Sequence, residues 1–473
     1  MRRRVLLSGA LAAMALGRDA AADPVWPRPA PRPPRRLGSL AAAVEAAGLG
    51  AGAVLALAVR DAATGALLDG ALADTALPPA STLKAVTALY ALDRLGGGHR
   101  FATRVVADGE ALVLAGGGDP VLDTDGLAEL ARDLAATGPA APRRFAVWGG
   151  ALPRLAELEP GQADHLAYNP ALSGMILNFN RVHLGWRQAA DGVALSLEAR
   201  AEDASPRAWT VGAAAVERSA PLFAHSLDGE GERWTVSRRA VRGSGSRWLP
   251  VRLPELYAGD VFQTLCRAEG LALPRPEVAA DAPTGRELAR RESPPLREIL
   301  RGMLDHSTNL TAEAVGLAAS GAAGLGASAA AMADWLRGEG VAGDFAFADH
   351  SGLSAESRVT AAALSAMIAG PGRAAGLEAL MKEAKALDAD GGAHASPVAA
   401  RAKTGTLNFV SNLAGVVRRR EGGRPLAFAI LIADEGRRAQ TAGADLPDGV
   451  VGWTRRAKAL QSRLVEDFAA RFG

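Results

Sequence analysis

The spacing of apolar residues changes sharply within the first hundred positions. In AVLALAVRDAATGALLDGA (53–71), two short apolar runs flank Thr64-Gly65, which predicts two strands joined by a turn. A helix from about Ser39 precedes them. In the next stretch, LPPASTLKAVTALYALDRLG (77–96), the apolar positions take helical spacing. Pro78-Pro79 ends the preceding strand and leaves Ser81 near the N-terminus of the helix. From about Gly97 to Ser293 the texture becomes short strand-like runs broken by Gly, Pro and charge, among them ALVLAGGGDPVL, RRFAVWGG, GMILNFNRVHLGW, WTVSRRAVRG and WLPVRL. GGGDP (116–120) reads as a tight turn, because Pro120 and the absence of a following GK[ST] helix exclude a phosphate loop.

Helical patterning returns at PPLREILRGMLDHSTNLTAEAVGLAAS (294–320) and continues in helices around 327–338 and 361–368. SNLAGVVRR and PLAFAILIAD then predict two strands joined by Glu421-Gly422-Gly423, followed by a closing helix from about Trp453 to Phe472. Strand pair, helices, strand pair, helix is the order expected of an α+β sheet assembled from both ends of the chain, with a large, mostly β insertion between them. The expected division is a signal peptide (1–22), a Pro/Arg-rich linker (23–38), a catalytic domain from 39–97 and 288–473, and inserted material at 98–287.

Composition narrows the function. At 473 residues, 49% hydrophobic and 22% charged, the chain is globular, and a formal charge of +2 is no nucleic-acid footprint. The start supplies that excess. MRRRVLLSGALAAMALGRDAAADP has a basic beginning, an apolar run too short to span a bilayer and small residues at Ala20–Ala22, the pattern of a cleaved export signal, by either the general or the twin-arginine route. Residues 1–22 carry four arginines and one aspartate, so their removal takes the charge from +2 to −1. DPVWPRPAPRPPRRLG (23–38) reads as an extended spacer; a loose membrane-surface or homodimer association stays open. The single cysteine, Cys266, permits no internal disulfide and reads as a core residue. No spacing of His, Cys or acids suggests a metal, and no cofactor motif appears.

The basic residues are almost all arginine; only Lys84, Lys382, Lys385, Lys403 and Lys458 are lysines. Arginine stays charged in proteins, whereas a buried lysine can become a neutral amine. Lys382, Lys385 and Lys458 read as charged helical surface. Lys84 lies three residues after Ser81, one helical turn, where its amine can take the hydroxyl proton of a serine nucleophile. Ser307-Thr308-Asn309, between two predicted helices, offers a hydroxyl that can relay a proton and an amide that can hold a peptide carbonyl or Lys84. Lys403-Thr404-Gly405-Thr406 opens the strand-like KTGTLNFVSNLAG; Gly405 allows a close backbone approach, and Lys403 with the hydroxyls of Thr404 and Thr406 suits a carboxylate. The amides of Ser81 and Thr406 could together hold an oxyanion.

SxxK, SxN and KTG in this order resemble the serine penicillin-recognising enzymes. The distance between Ser81 and Ser307, Gly117-Gly118-Asp119-Pro120-Val121-Leu122 and Asp349-His350-Ser351-Gly352-Leu353-Ser354 make the chain, from about Leu37 onward, similar to the class C low-molecular-mass penicillin-binding proteins, the D-alanyl-D-alanine carboxypeptidase/endopeptidase family S13. That resemblance implies a β-lactamase/transpeptidase-like domain with a five-stranded antiparallel sheet between helix clusters. It also implies a periplasmic serine DD-peptidase that cleaves peptidoglycan stem peptides through a Ser81 ester and is acylated by β-lactams. Lys403, Thr404 and Thr406 would seat the terminal carboxylate. Two positions depart from the family pattern. Ala355 replaces the arginine that often follows SGLS, the nearest being Arg358, and Asn178 stands where some members have an acid that reads a free amine. The competing readings are a β-lactamase or esterase of the same fold and a β-lactam sensor with little turnover.

Overall fold

A computed structural model describes residues 37–473 except Asp191 and Glu230. The expected signal peptide and nearly all of the linker, with any surface association they would mediate, lie outside the described residues.

The central sheet has five antiparallel strands: β1 (Val54–Asp61), β2 (Leu67–Ala71), β3 (Val398–Leu407), β4 (Val410–Arg419) and β5 (Leu426–Ala433), in the spatial order β3-β4-β5-β1-β2. Strands from both ends of the chain therefore share one sheet. The helices used below are α1 (Leu37–Ala46), α2 (Leu83–Leu95), α3 (Leu296–His306), α4 (Asn309–Ser320), α5 (Leu325–Gly338), α6 (Ala361–Met367) and α7 (Val450–Phe472).

All eight residues of β5 are buried, so LAFAILIA reads as an unbroken apolar run, yet its two faces differ in size. Leu426, Phe428, Ile430 and Ile432 pack with Leu55, Leu57 and Val59 of β1 against α1 and α7, including Trp453, Leu460 and Phe468. Ala427, Ala429, Leu431 and Ala433, with Ala56 and Ala58, form the opposite face under α2 and α6. The period of two sends alternate side chains to opposite faces. Small residues on the second face let the helices that carry the site lie close to the sheet.

The inserted segment returns to its starting point: strand Ala102–Asp108 pairs antiparallel with Arg286–Glu292 at the edge of a second five-stranded sheet. Two three-stranded sheets and the helices Thr124–Ala136 and Pro254–Ala268 complete a separate core. Those two helices add α structure to a region whose sequence reads mainly as strands. The GGGDP turn brings backbones into contact: a Cβ on Gly116 would lie 2.5 Å from the Gly174 carbonyl oxygen, and Asp119 accepts from the Val121 N–H at 3.0 Å. Cys266 is buried, and burial pushes its thiol up to about 12, which suits a core residue. A smaller apolar seam joins Leu152, Leu158, Leu172 and Ile176 to Leu310, Ala314 and Leu317 of α4 and to Leu353. The seam sets the loop 152–172 beside the cleft.

Candidate active site

Ser81 lies in a single tight turn, Ala80–Thr82, that leads directly into α2. Ala80 is left-handed at φ 46°, a conformation that costs an L-residue on the order of 1–3 kcal/mol and concentrates at functional positions. The strain is held from two sides. A Cβ on Gly405 of β3 would lie 2.9 Å from the Pro79 carbonyl oxygen and 3.1 Å from the Ser81 nitrogen, so only glycine lets the strand run this close. From β4, buried Asn412 donates 2.8 Å hydrogen bonds to the carbonyls of both Pro78 and Pro79, while its Oδ1 accepts from the Ile432 N–H at 3.1 Å. Asn412 thus fastens the reactive turn to two strands of the sheet.

Lys84, one turn into the helix, is wholly buried, and its Nζ has three partners: Ser81 Oγ at 3.0 Å, Asn309 Oδ1 at 2.8 Å and the Ser351 carbonyl at 2.7 Å. The Asn309 amide nitrogen donates to the Tyr168 carbonyl at 3.3 Å, so its oxygen is the atom facing Lys84. Asn309 Oδ1 and Ser351 O can only accept. A neutral amine spends both N–H bonds on them, and its lone pair is left for the hydroxyl of Ser81. Burial brings Lys84 down to about 8, against the raising effect of Glu313 and Asp349, so the neutral amine is accessible near physiological pH.

The Ser351 carbonyl is placed by a buried polar cluster. Glu313 of α4 accepts from the Ser351 N–H (2.9 Å), the His350 N–H (2.9 Å) and His350 Nδ1 (3.0 Å). His350 Nε2 meets Ser328 Oγ at 3.0 Å, and the His350 carbonyl accepts from Thr87 Oγ1 at 2.6 Å. Asp349 accepts from Ser351 Oγ (3.0 Å), Ser357 Oγ (2.6 Å) and the Ser354 N–H (3.0 Å). Burial works against ionised Glu313, but the hydrogen bond and charge of His350 outweigh it and hold the carboxyl below the usual range. Burial and the Glu313 charge push Asp349 up.

Ser307 caps the C-terminus of α3 in the left-handed region (φ 59°), between the two helices, and its Oγ accepts from Lys403 Nζ at 2.9 Å. Lys403 also donates to the Thr404 carbonyl at 2.8 Å. Burial, then the charges of Lys84 and Lys382, lower Lys403 well below the ordinary lysine value against the opposing pull of Asp305. Lys403–Leu407 ends β3 rather than opening a strand: KTGTLNFVSNLAG is a hairpin that turns at Asn408-Phe409, with Phe409 at φ 57°.

These groups border a cleft of about 660 Å³ whose lining includes Ser81, Ser307, Asn309, Gly352 and Thr406. Lys84 and Lys403 sit behind the lining serines. Thr404, two residues before Thr406 on the same exposed strand face, is not part of the lining. Gln162 and Tyr168 of the inserted segment form one wall; Arg438, Arg455 and Lys458 bring positive charge from the C-terminal side. Lys458, read from sequence as charged helical surface, lies on α7 where that helix lines the cleft. Arg358 is hydrogen-bonded to Glu435 at 3.0 Å, and the arginines that line the cleft are Arg438 and Arg455. Asn178 is not in the cleft. It is buried in the inserted core, where it accepts from the Thr124 N–H (3.1 Å) and donates to Thr124 Oγ1 (2.8 Å). Glu313 and Asn412 carry no motif of their own, since their partners lie far away along the chain. His350 and Ser351 fall within Asp349–Ser354, a segment whose sequence does not reveal which of their atoms meet Glu313 and Lys84.

A helix-borne serine and buried lysine beside a sheet edge, faced by a second serine–lysine pair, define a serine acyl-transfer enzyme of the penicillin-recognising fold. The sequence pattern of the D-Ala-D-Ala carboxypeptidase 3 (S13) family matches residues 38–457, and the chain belongs to this family of serine DD-peptidases. It is 30% identical over 453 residues to Carboxypeptidase Rv3627c of Mycobacterium tuberculosis, covering 87% of this chain and 86% of that one. A 95-residue stretch is 41% identical to D-alanyl-D-alanine carboxypeptidase of an Actinomadura species, 18% of each chain. The crystal structure of penicillin binding protein 4 (dacB) of Haemophilus influenzae shares the fold with a TM-score of 0.69 at 18% identity, over 90% of this chain and 99% of that one.

Proposed function

We propose that this enzyme hydrolyses the D-alanyl carbonyl of peptidoglycan stem peptides with Ser81 as nucleophile and Lys84 as its base. The three contacts of the buried Lys84 nitrogen carry the reading: two fixed acceptors orient the amine so that its lone pair receives the Ser81 proton. Ser81 Oγ then bonds to the carbonyl carbon, and the amides of Ser81 and Thr406 hold the oxyanion. Ser307, backed by Lys403, passes a proton to the leaving amine of D-alanine. Water hydrolyses the ester and restores Ser81. Lys403 and Thr406 attract the terminal carboxylate, and Asn309 orients the peptide.

A β-lactam carries an amide and a carboxylate of similar arrangement and acylates the same serine. Haemophilus influenzae penicillin binding protein 4 has also been crystallised in complex with a β-lactam. The basic and apolar start of the sequence supports export to the periplasm, the compartment in which such an enzyme would meet its substrate.

The test incubates the protein with fluorescent penicillin and, separately, with a D-Ala-D-Ala pentapeptide. Persistent labelling at Ser81 together with released D-alanine is expected. Rapid penicillin turnover without D-alanine release would assign a β-lactamase instead, and labelling without peptide hydrolysis a sensor.

A further inference from the structure

A second cleft, of about 500 Å³, opens in the inserted segment between helix Pro254–Ala268 and the sheet formed by Val211–Val216, Phe223–Asp228 and Gly231–Ser237. Its carboxylates are already committed. Asp228 pairs with Arg233 at 2.6 Å; Glu232 accepts from the N–H groups of Arg252 (2.9 Å) and Leu253 (2.8 Å); Asp260 accepts from those of Trp209 and Thr210. The groups facing the cleft are of another kind. Trp209 is 63% exposed. The Arg207 guanidinium lies 4.1 Å from the Trp209 ring centroid, and Trp209 lines the cleft. Asp260 fixes the backbone from which the ring projects. Arg267 is exposed, makes no ion pair among the described residues and lines the same cleft, together with Thr264 and Arg275.

An exposed indole on an anchored backbone offers a flat apolar surface to the C–H face of a sugar ring, and a neighbouring guanidinium pairs with a carboxylate in a fork. Single exposed apolar residues are common on protein surfaces, but this one lines a polar cleft beside an uncommitted cation. We propose that the cleft binds a saccharide unit of the glycan strand, stacked on Trp209, whose attached stem peptide gives a carboxylate to Arg267. The proposal rests on peptidoglycan being the substrate. It assigns the inserted segment a role in holding the polymer while a stem peptide occupies the Ser81 site.

The experiment uses the full chain with Ser81→Ala, with and without Trp209→Ala, and titrates by calorimetry the disaccharide-tetrapeptide N-acetylglucosaminyl-N-acetylmuramyl peptide and, in parallel, the free tetrapeptide. Trp209→Ala should weaken the glycopeptide about ten-fold and leave the free peptide unchanged, the scale of removing one aromatic anchor. Arg267→Ala should weaken the glycopeptide and not a peptide-free N-acetylglucosamine oligomer. Equal glycopeptide affinity with and without Trp209 overturns the proposal, as does an equal loss for free peptide. D-alanine release from free pentapeptide by the unaltered enzyme is read separately. Its failure would strike the proposed reaction and leave the glycopeptide comparison readable.

Discussion

The α-carbon of Gly352 sits so close to Ala80 that a Cβ placed on it would stand 1.9 Å from the Ala80 carbonyl oxygen. Gly352 is also left-handed, at φ 75°. The segment that supplies the Ser351 carbonyl to Lys84 and the turn that carries Ser81 are therefore in backbone contact. Gly352→Ala forces them apart and strains the new residue as well. Acylation by fluorescent penicillin should fall about 100-fold, the scale expected of a misplacement near 1 Å, with a lowered melting temperature and an unchanged far-ultraviolet circular dichroism spectrum. Wild-type acylation in this variant would contradict the contact.

The acylation rate constant should rise with pH and level off above about 8, where Lys84 becomes the neutral amine. Below that value most of the side chain is ammonium and has no lone pair for the Ser81 proton. Lys84→Arg should remove both the activity and the limb, because a guanidinium keeps its charge throughout. Stopped-flow labelling across pH 6–10 reads both; a flat profile in the wild-type enzyme would exclude Lys84 as the base.

Glu313→Gln separates positioning from mere packing. The carboxylate accepts three hydrogen bonds from His350 and Ser351, and the amide replaces one acceptor oxygen with a donor. The plateau should fall about ten-fold or more as the Ser351 carbonyl shifts. Because the Glu313 charge raises the Lys84 value, losing it should also move the limb to lower pH. A lower plateau with an unmoved midpoint would reduce Glu313 to packing.

Asn412→Ala leaves the Pro78 and Pro79 carbonyls buried without the donor that now serves them. Urea unfolding should show a loss of about 2 kcal/mol, the usual scale for an unsatisfied buried polar group. Asn412→Asp, which cannot donate, should rescue nothing.

Four of the five strands of the central sheet and the helix after Ser81 were legible in the sequence because their signals are local: an apolar run at Leu426–Ala433, a turn at Thr64-Gly65, helical spacing after Ser81. The hairpin after Lys403 was not, since the chain turns at Asn408-Phe409 with no Gly or Pro to mark it; tertiary packing holds Phe409 left-handed. Of the eight residues expected at the site from type and spacing, Ser81, Ser307, Asn309 and Thr406 line the cleft, Lys84 and Lys403 lie behind the lining serines, Gly405 packs against the Ser81 turn, and Thr404 lies outside the lining. Glu313 and Asn412 gave no signal, because a buried acid among alanines and an asparagine in a strand gain meaning only from partners brought together by folding. Asn178 failed for the opposite reason. A motif position says nothing of direction, and three consecutive left-handed residues, Asn178–Asn180, direct that side chain into the inserted core.

The strand order carries a consequence in time. β1 gains its second neighbour only when β5 pairs with it in the register Val54 to Ala433. The serine is made early in synthesis and the strand that completes its support very late. A chain halted before Leu426 holds Ser81 and Lys84, yet lacks the strand that completes their support. The sheet beneath the Ser81 turn is therefore complete only when the last strand is in place, and an unfinished copy of a wall-cutting enzyme lacks it.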